Sequence, residues 1–489
     1  MFEWLEIWEF VLLWEVPALL SVPSVLLRRK GRPVAALAWL LALFAIPWAG
    51  VVLWWLIGCR HLERKKRRRR EAHDALTSEL SRLRDELPVD RHDAPSFLPF
   101  RHIPADLTDS VFPPTADNHV AVIEDGEAVY ASMAEAIGEA RHHIHFLFYI
   151  WEDDIVGRRF RDLLAEKARA GVEVRIYYDS FGSAYLTRRF LRPCVEAGAK
   201  VIAGAEPRFL TRFPTLNFRN HRKLVVVDGK VGFVGGLNVG EEYLEWHDIA
   251  IRMRGPILDQ VQETFADDWY FATGENLTDP SYFGQWKAVG DEPGEDDREP
   301  GPETTEHPAS CALVASGPHN RTTVLRDTLF MIINSAQSRI ELMTPYFVPD
   351  KSLLVSLQTA VYRGVDVRLM VPAKNDVKLA RLAARAYYEE LLDAGAKIFE
   401  YQPRFLHAKT LLVDDRLAVI GSANIDNRSV ILNFEVSCVI ESAGVNATLH
   451  EIFERNVSQS EQILPGPFSE RSYPVRLAEA AANLLGPLM

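Results

Sequence analysis

"HRKLVVVD" is residues 221–228, and "HAKTLLVD" is residues 407–414. Both run His, one residue, Lys, four residues, Asp around an apolar middle, Leu224–Val227 in the first stretch and Leu411–Val413 in the second. A short apolar run rich in Val and Leu, bounded by polar residues, reads as a buried strand. Along a strand, residues i and i+2 share a face. His221 therefore projects with Lys223, and His407 with Lys409. The residue between them, expected to be apolar or neutral, turns away.

The likeness extends past the aspartates. Asp228 is followed by "GKVGFVGGLN" and Asp414 by "DRLAVIGSAN", so each His precedes an Asn, Asn238 or Asn424, by 17 residues. Gly235-Gly236 and Gly421-Ser422 let the next strand approach closely. Farther on stand Asp248 in "EWHD" and Glu435 in "LNFE". A single H-x-K-x4-D is usually an ordinary strand with exposed ends. Two, each carrying the same downstream pattern, belong to a duplication.

Upstream segments show the same duplication. "AGVEVRIYYDS" (170–180) matches "RGVDVRLMVPA" (363–373), "EAGAKVIA" (196–203) matches "DAGAKIFE" (393–400), and "HIHFLFYI" (143–150) matches "RIELMTPYFV" (339–348) in position. Apolar strands alternating with helical segments indicate an α/β unit with a largely buried sheet. Two such units are expected to pack about a pseudo-twofold axis, the first over residues 119–289 and the second over 311–489. The offset between copies falls from 197 at "AGAK" to 186 at the histidines, which places eleven extra residues of the first copy within "LTRFPTLNFRN" (210–220). This insertion is either a lining for lipid access or a plain surface loop. Residues 290–310, "GDEPGEDDREPGPETTEHPAS", are acidic and rich in Pro and Gly, and are expected to be a disordered linker.

The chain of 489 residues is too long for one ordinary core. Residues 1–70 carry a net +7, whereas the whole chain carries −12, which leaves −19 on the remainder. A basic neck on an acidic body does not fit a nucleic-acid binder. The four cysteines are scattered and form no disulfide framework, no metal-ligand spacing stands out, and no Gly-rich phosphate loop is present.

Residues 1–60 are expected to form a membrane hairpin. "PVAALAWLLALFAIPWAGVVLWWLIGC" (33–59) is 27 residues without a charge, longer than a bilayer core of ~30 Å requires at ~1.5 Å per residue. Pro47 is expected to kink it. "FVLLWEVPALLSVPSVLL" (10–27) holds Glu15 and reads as a short span, an interfacial helix or a signal-peptide core. Glu15 is either functional or a protonated packing residue. "RHLERKKRRRR" (60–70) has eight basic residues against four in "RRKGR" (28–32), so the body after it is expected on the cytoplasmic face. Residues 61–118 then form a neck and linker, in which Leu76, Leu80, Leu83 and Leu87 recur at helical spacing.

The chemistry follows from the repetition. Two copies facing each other bring together two imidazoles, two ammonium groups and two amides, a seat matched to a phosphoryl group. One neutral His can attack phosphorus while the other, protonated, gives its proton to the leaving alkoxide. Asp248 and Glu435 are placed to orient the imidazoles. Asp228 and Asp414 read as structural, satisfying neighbouring groups.

These motifs resemble those of the phospholipase D superfamily. "NFRNHRKLVVVDGKVGFVGGLNVGEEY", "TPYFVPD", "EYQPRFLHAKTLLVDDRLAVIGSANIDNRS" and "LNFEV" are more narrowly similar to bacterial cardiolipin synthases. The resemblance implies that His221, Lys223, Asp228, His407, Lys409 and Asp414 form the catalytic motifs, with Asn238 and Asn424 joining the lysines on the phosphate and Asp248 and Glu435 supporting the histidines. It implies His221 as nucleophile, with His407 nearly equivalent by pseudosymmetry. The implied reaction joins two phosphatidylglycerols into cardiolipin and glycerol without a cofactor, at a bacterial inner membrane. Water or another alcohol as acceptor uses the same chemistry and stays open, as does oligomeric state. An inactive scaffold is disfavoured by the intact His and Lys of both copies.

Overall fold

The computed structural model describes residues 2–29, 33–55, 67, 69–71, 73, 74, 76, 79, 111–204, 218–286, 305–320, 323–484 and 486. It divides into two compact units. One comprises residues 1–71 with 207–217, and the other residues 72–206 with 218–489.

The first unit holds three apolar helices, α1 (Phe2–Arg28), α2 (Pro33–Ala45) and α3 (Pro47–Leu53). They share an apolar cluster of Ala18, Val25, Ala36, Leu43 and Trp54. Trp54 Nε1 donates to Ser24 Oγ at 3.2 Å, and Trp55 Nε1 to Ser21 Oγ at 3.1 Å, tying α3 back to α1. The uncharged run is thus not one helix: it breaks at Ile46, because Pro47 cannot donate to the preceding turn. Among the described residues no helix is long and apolar enough to cross a membrane.

The second unit is built on strands β1 (Thr115–Glu124), β2 (His143–Phe148), β3 (Glu173–Asp179), β4 (Lys200–Gly204), β5 (Leu224–Val227), β6 (Val231–Gly235), β7 (Ile249–Arg254), β8 (Glu306–Ser316), β9 (Arg339–Met343), β10 (Phe347–Val348), β11 (Asp366–Pro372), β12 (Lys397–Tyr401), β13 (Thr410–Val413), β14 (Leu417–Gly421), β15 (Ile425–Asp426), β16 (Glu435–Glu441) and β17 (Ser460–Ile463). Among the described residues fifteen of them form one sheet in the order β17-β12-β11-β9-β13-β14-β16-β8-β1-β7-β6-β5-β2-β3-β4. From the antiparallel β1–β8 pair outward the two halves mirror each other. The sheet core is buried on both faces: every residue of β2, β5 and β13 is buried. Helices α4 (Gly126–Glu139), α5 (Ile155–Arg169), α6 (Arg188–Glu196) and α7 (Ile257–Thr273) cover the first half. Helices α8 (Val324–Ser335), α9 (Lys351–Tyr362), α10 (Lys378–Ala394), α11 (Asn427–Ile431), α12 (Ala443–Val457), α13 (Pro465–Ser469) and α14 (Tyr473–Leu484) belong to the second. One apolar cluster draws on both halves, joining Val226 and Phe265 to Leu313, Ile420 and Phe453. Leu76 of the neck packs into it, whereas Leu80, Leu83 and Leu87 lie outside the described residues.

Two boundaries differ from expectation. Residues 306–310, expected within the linker, are the start of β8 and pair with β1, while 287–304 lie outside the described residues. β1 begins at Thr115, inside the expected neck. Within the insertion at 210–220, only Phe218, Arg219 and Asn220 are described.

Candidate active site

The His and Lys of each motif stand just before their strand, not on it: β5 starts at Leu224 and β13 at Thr410. Their extended backbone is held instead by the opposite repeat. His221 N donates to Phe434 O at 2.9 Å, and Phe434 N to Arg219 O at 2.9 Å. Likewise His247 N donates to Phe405 O at 2.8 Å, and His407 N and Ala408 N donate to His247 O at 2.8 and 3.0 Å. Each catalytic-motif histidine is thereby stitched to the residue preceding the other repeat's acid.

The side chains are crossed in the same way. Glu435 of the second repeat accepts from His221 Nδ1 at 2.9 Å. Asp248 of the first lies 2.5 Å from His407 Nδ1. A carboxylate on Nδ1 fixes the ring and leaves Nε2 as the nitrogen for chemistry. Glu435 is itself held by Ser422 Oγ at 2.5 Å and Asn433 Nδ2 at 3.0 Å. Gly236 stands where the second repeat has Ser422. A Cβ there would lie 2.4 Å from Asp248 Oδ1, so the shorter acid reaches His407 through the room a missing side chain leaves.

Lys223 and Lys409 are buried beside the rings. Lys223 Nζ donates to His221 O at 2.8 Å. Lys409 Nζ lies 2.9 Å from His407 Nδ1 and 4.0 Å from Asp248 Oδ2. Burial lowers Lys223 to about 7 and Lys409 to about 8, against the opposing pull of Glu435 and Asp248 respectively. Burial likewise lowers His221 to about 4 and His407 to about 3, each ring also feeling both lysines. Burial alone would raise the two acids. Lys409 and His407 outweigh it at Asp248, and His221 and Lys223 at Glu435, so both stay below the usual carboxylate range. At neutral pH the site thus holds two carboxylates, two neutral imidazoles and two lysines poised at the edge of protonation.

Tyr149 packs edge-on to His221, with ring centroids 4.7 Å apart, and Trp246 to His407 at 4.8 Å. Asn238 Oδ1 accepts from Ile150 N at 3.3 Å, which turns its amide N–H2 the other way. Asn424 Oδ1 is buried without a hydrogen-bond partner among the described residues.

Asp228 and Asp414, grouped with the catalytic residues by motif, stand at the far ends of β5 and β13. Asp228 accepts from the backbone N–H of Arg141, His142 and His143 at 2.7–2.9 Å. Asp414 accepts from Gln337, Ser338 and Arg339. Both have positive φ, 54° and 53°, a conformation Asp tolerates better than most residues. They lock the β5–β6 and β13–β14 turns to the start of the neighbouring strand, at the end of each strand away from the His-Lys pair.

Arg222 corrects the expectation of a neutral residue between His221 and Lys223. Its buried guanidinium donates to Asp268 Oδ2 at 2.8 Å, Glu435 O at 3.1 Å and Ser316 O at 3.1 Å. It braces the backbone of Glu435 from behind. The role of Arg222 is not legible from motif spacing, since its side-chain partners lie 46 to 213 residues away, whereas Ser422 stands 13 residues before the Glu435 it holds.

Comparison with known proteins agrees with this geometry. A family model described as cardiolipin synthase, phospholipase D-like domain, matches residues 133–269 and 329–457, one match per repeat. The chain is 36 % identical over 477 residues to cardiolipin synthase 1 of Bacillus anthracis, covering 94 % of this chain and 89 % of the relative. It is 34 % identical over 466 residues to cardiolipin synthase of Geobacillus thermodenitrificans, with the same coverage. The crystal structure of phosphatidylserine synthase from Haemophilus influenzae shares the fold, with a TM-score of 0.56 at 15 % identity over 76 % of this chain and 95 % of that one. With both half-sites present, and with matches running through nearly the whole chain, the protein belongs to the cardiolipin synthase family of phospholipase D-like proteins.

Proposed function

We propose that this chain transfers a phosphatidyl group from one phosphatidylglycerol to the glycerol headgroup of another, giving cardiolipin and free glycerol through a phosphohistidine. The observation that carries the reading is the crossed pair of imidazole–carboxylate contacts flanked by two buried lysines. With neutral imidazoles, two ammonium groups and two carboxylates sum to no net charge, so a phosphodiester anion enters with one proton to balance it. That proton makes one histidine the acid.

His221 Nε2 attacks phosphorus and the bond to the departing glycerol breaks. Protonated His407 supplies that glycerol's proton. His407, now neutral, takes the proton of the second lipid's headgroup hydroxyl, whose oxygen attacks phosphorus while the P–N bond breaks. Lys223 and Lys409, with the Asn238 and Asn424 amides, offset the charge on the equatorial oxygens. His221 is assigned the attack because its ring is 12 % exposed against 6 % for His407, and because His407 has Lys409 beside the nitrogen that binds Asp248.

The uncharged run at 33–59 and the Lys/Arg bias support a multi-pass membrane hairpin, with the catalytic unit on the cytoplasmic face of a bacterial inner membrane. Substrates that never leave the bilayer favour such a tether. Purified protein in phosphatidylglycerol vesicles should release one glycerol per cardiolipin formed. Phosphatidic acid as the sole product would replace the synthase reading with a hydrolase.

A further inference from the structure

Two loops flank the site, one from each repeat, and they are equivalent by topology. One follows β3 and leads into α6; the other follows β11 and leads into α10. Each is joined to the site. Asp179 at the end of β3 accepts from Asn220 N at 2.8 Å, next to His221. Arg219 lies over the Phe181 ring at 4.1 Å and donates to Tyr149 Oη at 3.1 Å, and Tyr149 packs on His221. On the other side, Tyr346 Oη donates to Asp376 at 2.7–2.8 Å and Asn375 Nδ2 to Pro345 O at 2.9 Å, while Thr344 Oγ1 of the same segment accepts from Ile425 N at 3.3 Å, next to Asn424.

Both loops leave large apolar side chains to solvent: Phe181 is 46 % and Tyr185 85 % exposed in the first, Val377 44 % and Leu379 39 % in the second. Cations are interleaved with them. Residues 180–189 hold Arg188 and Arg189 and no acid, and residues 374–379 hold Lys374 and Lys378 against Asp376 alone. These are net charges of +2 and +1 on a body that is otherwise strongly acidic; the neighbouring Arg192 and Arg381 pair with Glu196 and Glu400. The first turns of α6 and α10 contain no acid, although a helix dipole favours acids there and disfavours cations. Helix stability therefore does not explain the pattern.

Exposed aromatics and aliphatics mixed with cations match an anionic bilayer surface, where apolar groups enter the acyl boundary and cations meet phosphates. We propose that the 180–189 and 374–379 loops form a two-sided docking face that seats the mouth of the site on anionic lipid. Each loop then guides one of the two lipids toward the shared site. This rests on the phosphatidyl-transfer reading for the identity of the lipids, but not for the docking itself.

The test uses the full chain with Cys59→Ser, carrying Tyr185→Cys or Leu379→Cys labelled with an environment-sensitive nitrobenzoxadiazole dye, reconstituted in phosphatidylcholine vesicles with or without phosphatidylglycerol. Blue-shifted, brighter emission at both positions when phosphatidylglycerol is present is the expected result. Water-like emission, or emission independent of phosphatidylglycerol, overturns the proposal. In parallel, Arg188→Glu and Lys378→Glu in the reconstituted chain should each raise the apparent KM for phosphatidylglycerol in the vesicles by about fivefold. Turnover of soluble dibutanoyl phosphatidylglycerol by the detergent-solubilised variants should be unchanged. Equal loss on both substrates would make these residues structural and overturn the proposal. If the parent chain makes no cardiolipin from either substrate, the functional reading fails while the dye still decides docking.

Discussion

Replacing Glu435 with Gln tests the crossed architecture at its most informative point. Glu435 Oε2 meets His221 Nδ1 at 2.9 Å and Ser422 Oγ at 2.5 Å, and Oε1 accepts from Asn433 Nδ2 at 3.0 Å. A glutamine keeps the shape but must turn its N–H2 to one side. Turned toward His221, it forces the tautomer with hydrogen on Nε2, which has no lone pair for phosphorus. Turned toward Asn433, it is accommodated by a flip of that amide, whose Oδ1 is otherwise buried and unpaired among the described residues. The tautomer then survives, but the positive charge developing on the ring loses its carboxylate. A charged hydrogen bond contributes ~1.5–3 kcal/mol against ~1 for a neutral one, a difference of ~0.5–2 kcal/mol, so kcat should fall by ~2- to 30-fold. Removing the carboxylate also takes away the charge that opposes the lowering of Lys223, so Lys223 should deprotonate below its present value of about 7. The alkaline limb of kcat/KM should move to lower pH. The assay is conversion of radiolabelled phosphatidylglycerol to cardiolipin across pH 5–9. A variant with parental kcat and an unmoved limb would refute the idea that Glu435 acts on His221.

Other expectations follow from the same geometry. Asp248→Asn should be as damaging on phosphatidylglycerol as Glu435→Gln. Its burst of nitrophenol from a phosphatidyl-4-nitrophenol donor, whose leaving group needs no acid, should match the parent's, whereas that of Glu435→Gln should be slowed. The burst rate distinguishes them, and the turnover that follows stays slow in Asp248→Asn because His407 must still activate the second lipid. In the parent enzyme, kcat/KM should fall as pH rises through about 7 to 8, where the two coupled lysines lose their protons, and the limb for kcat should lie higher because bound phosphate favours the ammonium forms. His143, His221 and His247 are lowered to about 4 and His407 to about 3, so the unfolded chain binds their protons first. The stability that these neutral histidines preserve should be intact above pH 6.5 and lost as pH drops toward 4, read as the fall in Tm between pH 6.5 and 4. Asp228→Ala should remove ~1.5–3 kcal/mol of stability through lost charged hydrogen bonds, measured by denaturant unfolding, with kcat nearly unchanged. A large kcat loss in a folded variant would return Asp228 to the chemistry.

The sequence made the repeats legible because their signal is local: apolar strands, His-Lys at i and i+2, and Asn at a fixed distance. The position of Asp228 and Asp414 could also be read, since a residue at the strand's opposite end cannot share the His-Lys surface. What spacing could not reveal is which acid serves which ring. His221 and Glu435 are 214 residues apart, and the bridge of Asn220 to Phe434 together with Arg222 on the Glu435 carbonyl brings them together. The burial of Arg222 was hidden for the same reason, since its charge is matched by Asp268 on α7, whereas its being charged at all stands in the motif itself. The start of β8 at Glu306 was hidden by linker-like composition, because its pairing with β1 outweighs weak strand propensity.

The division of labour between two histidines is tested most directly by a pre-steady-state burst with phosphatidyl-4-nitrophenol. His407→Ala retains the nucleophile but lacks the base that activates the second lipid, so it should release one nitrophenol per chain and stall with the phosphatidyl group on His221. His221→Ala should give no burst. A burst from His221→Ala, or none from His407→Ala in a folded protein, would contradict the assignment.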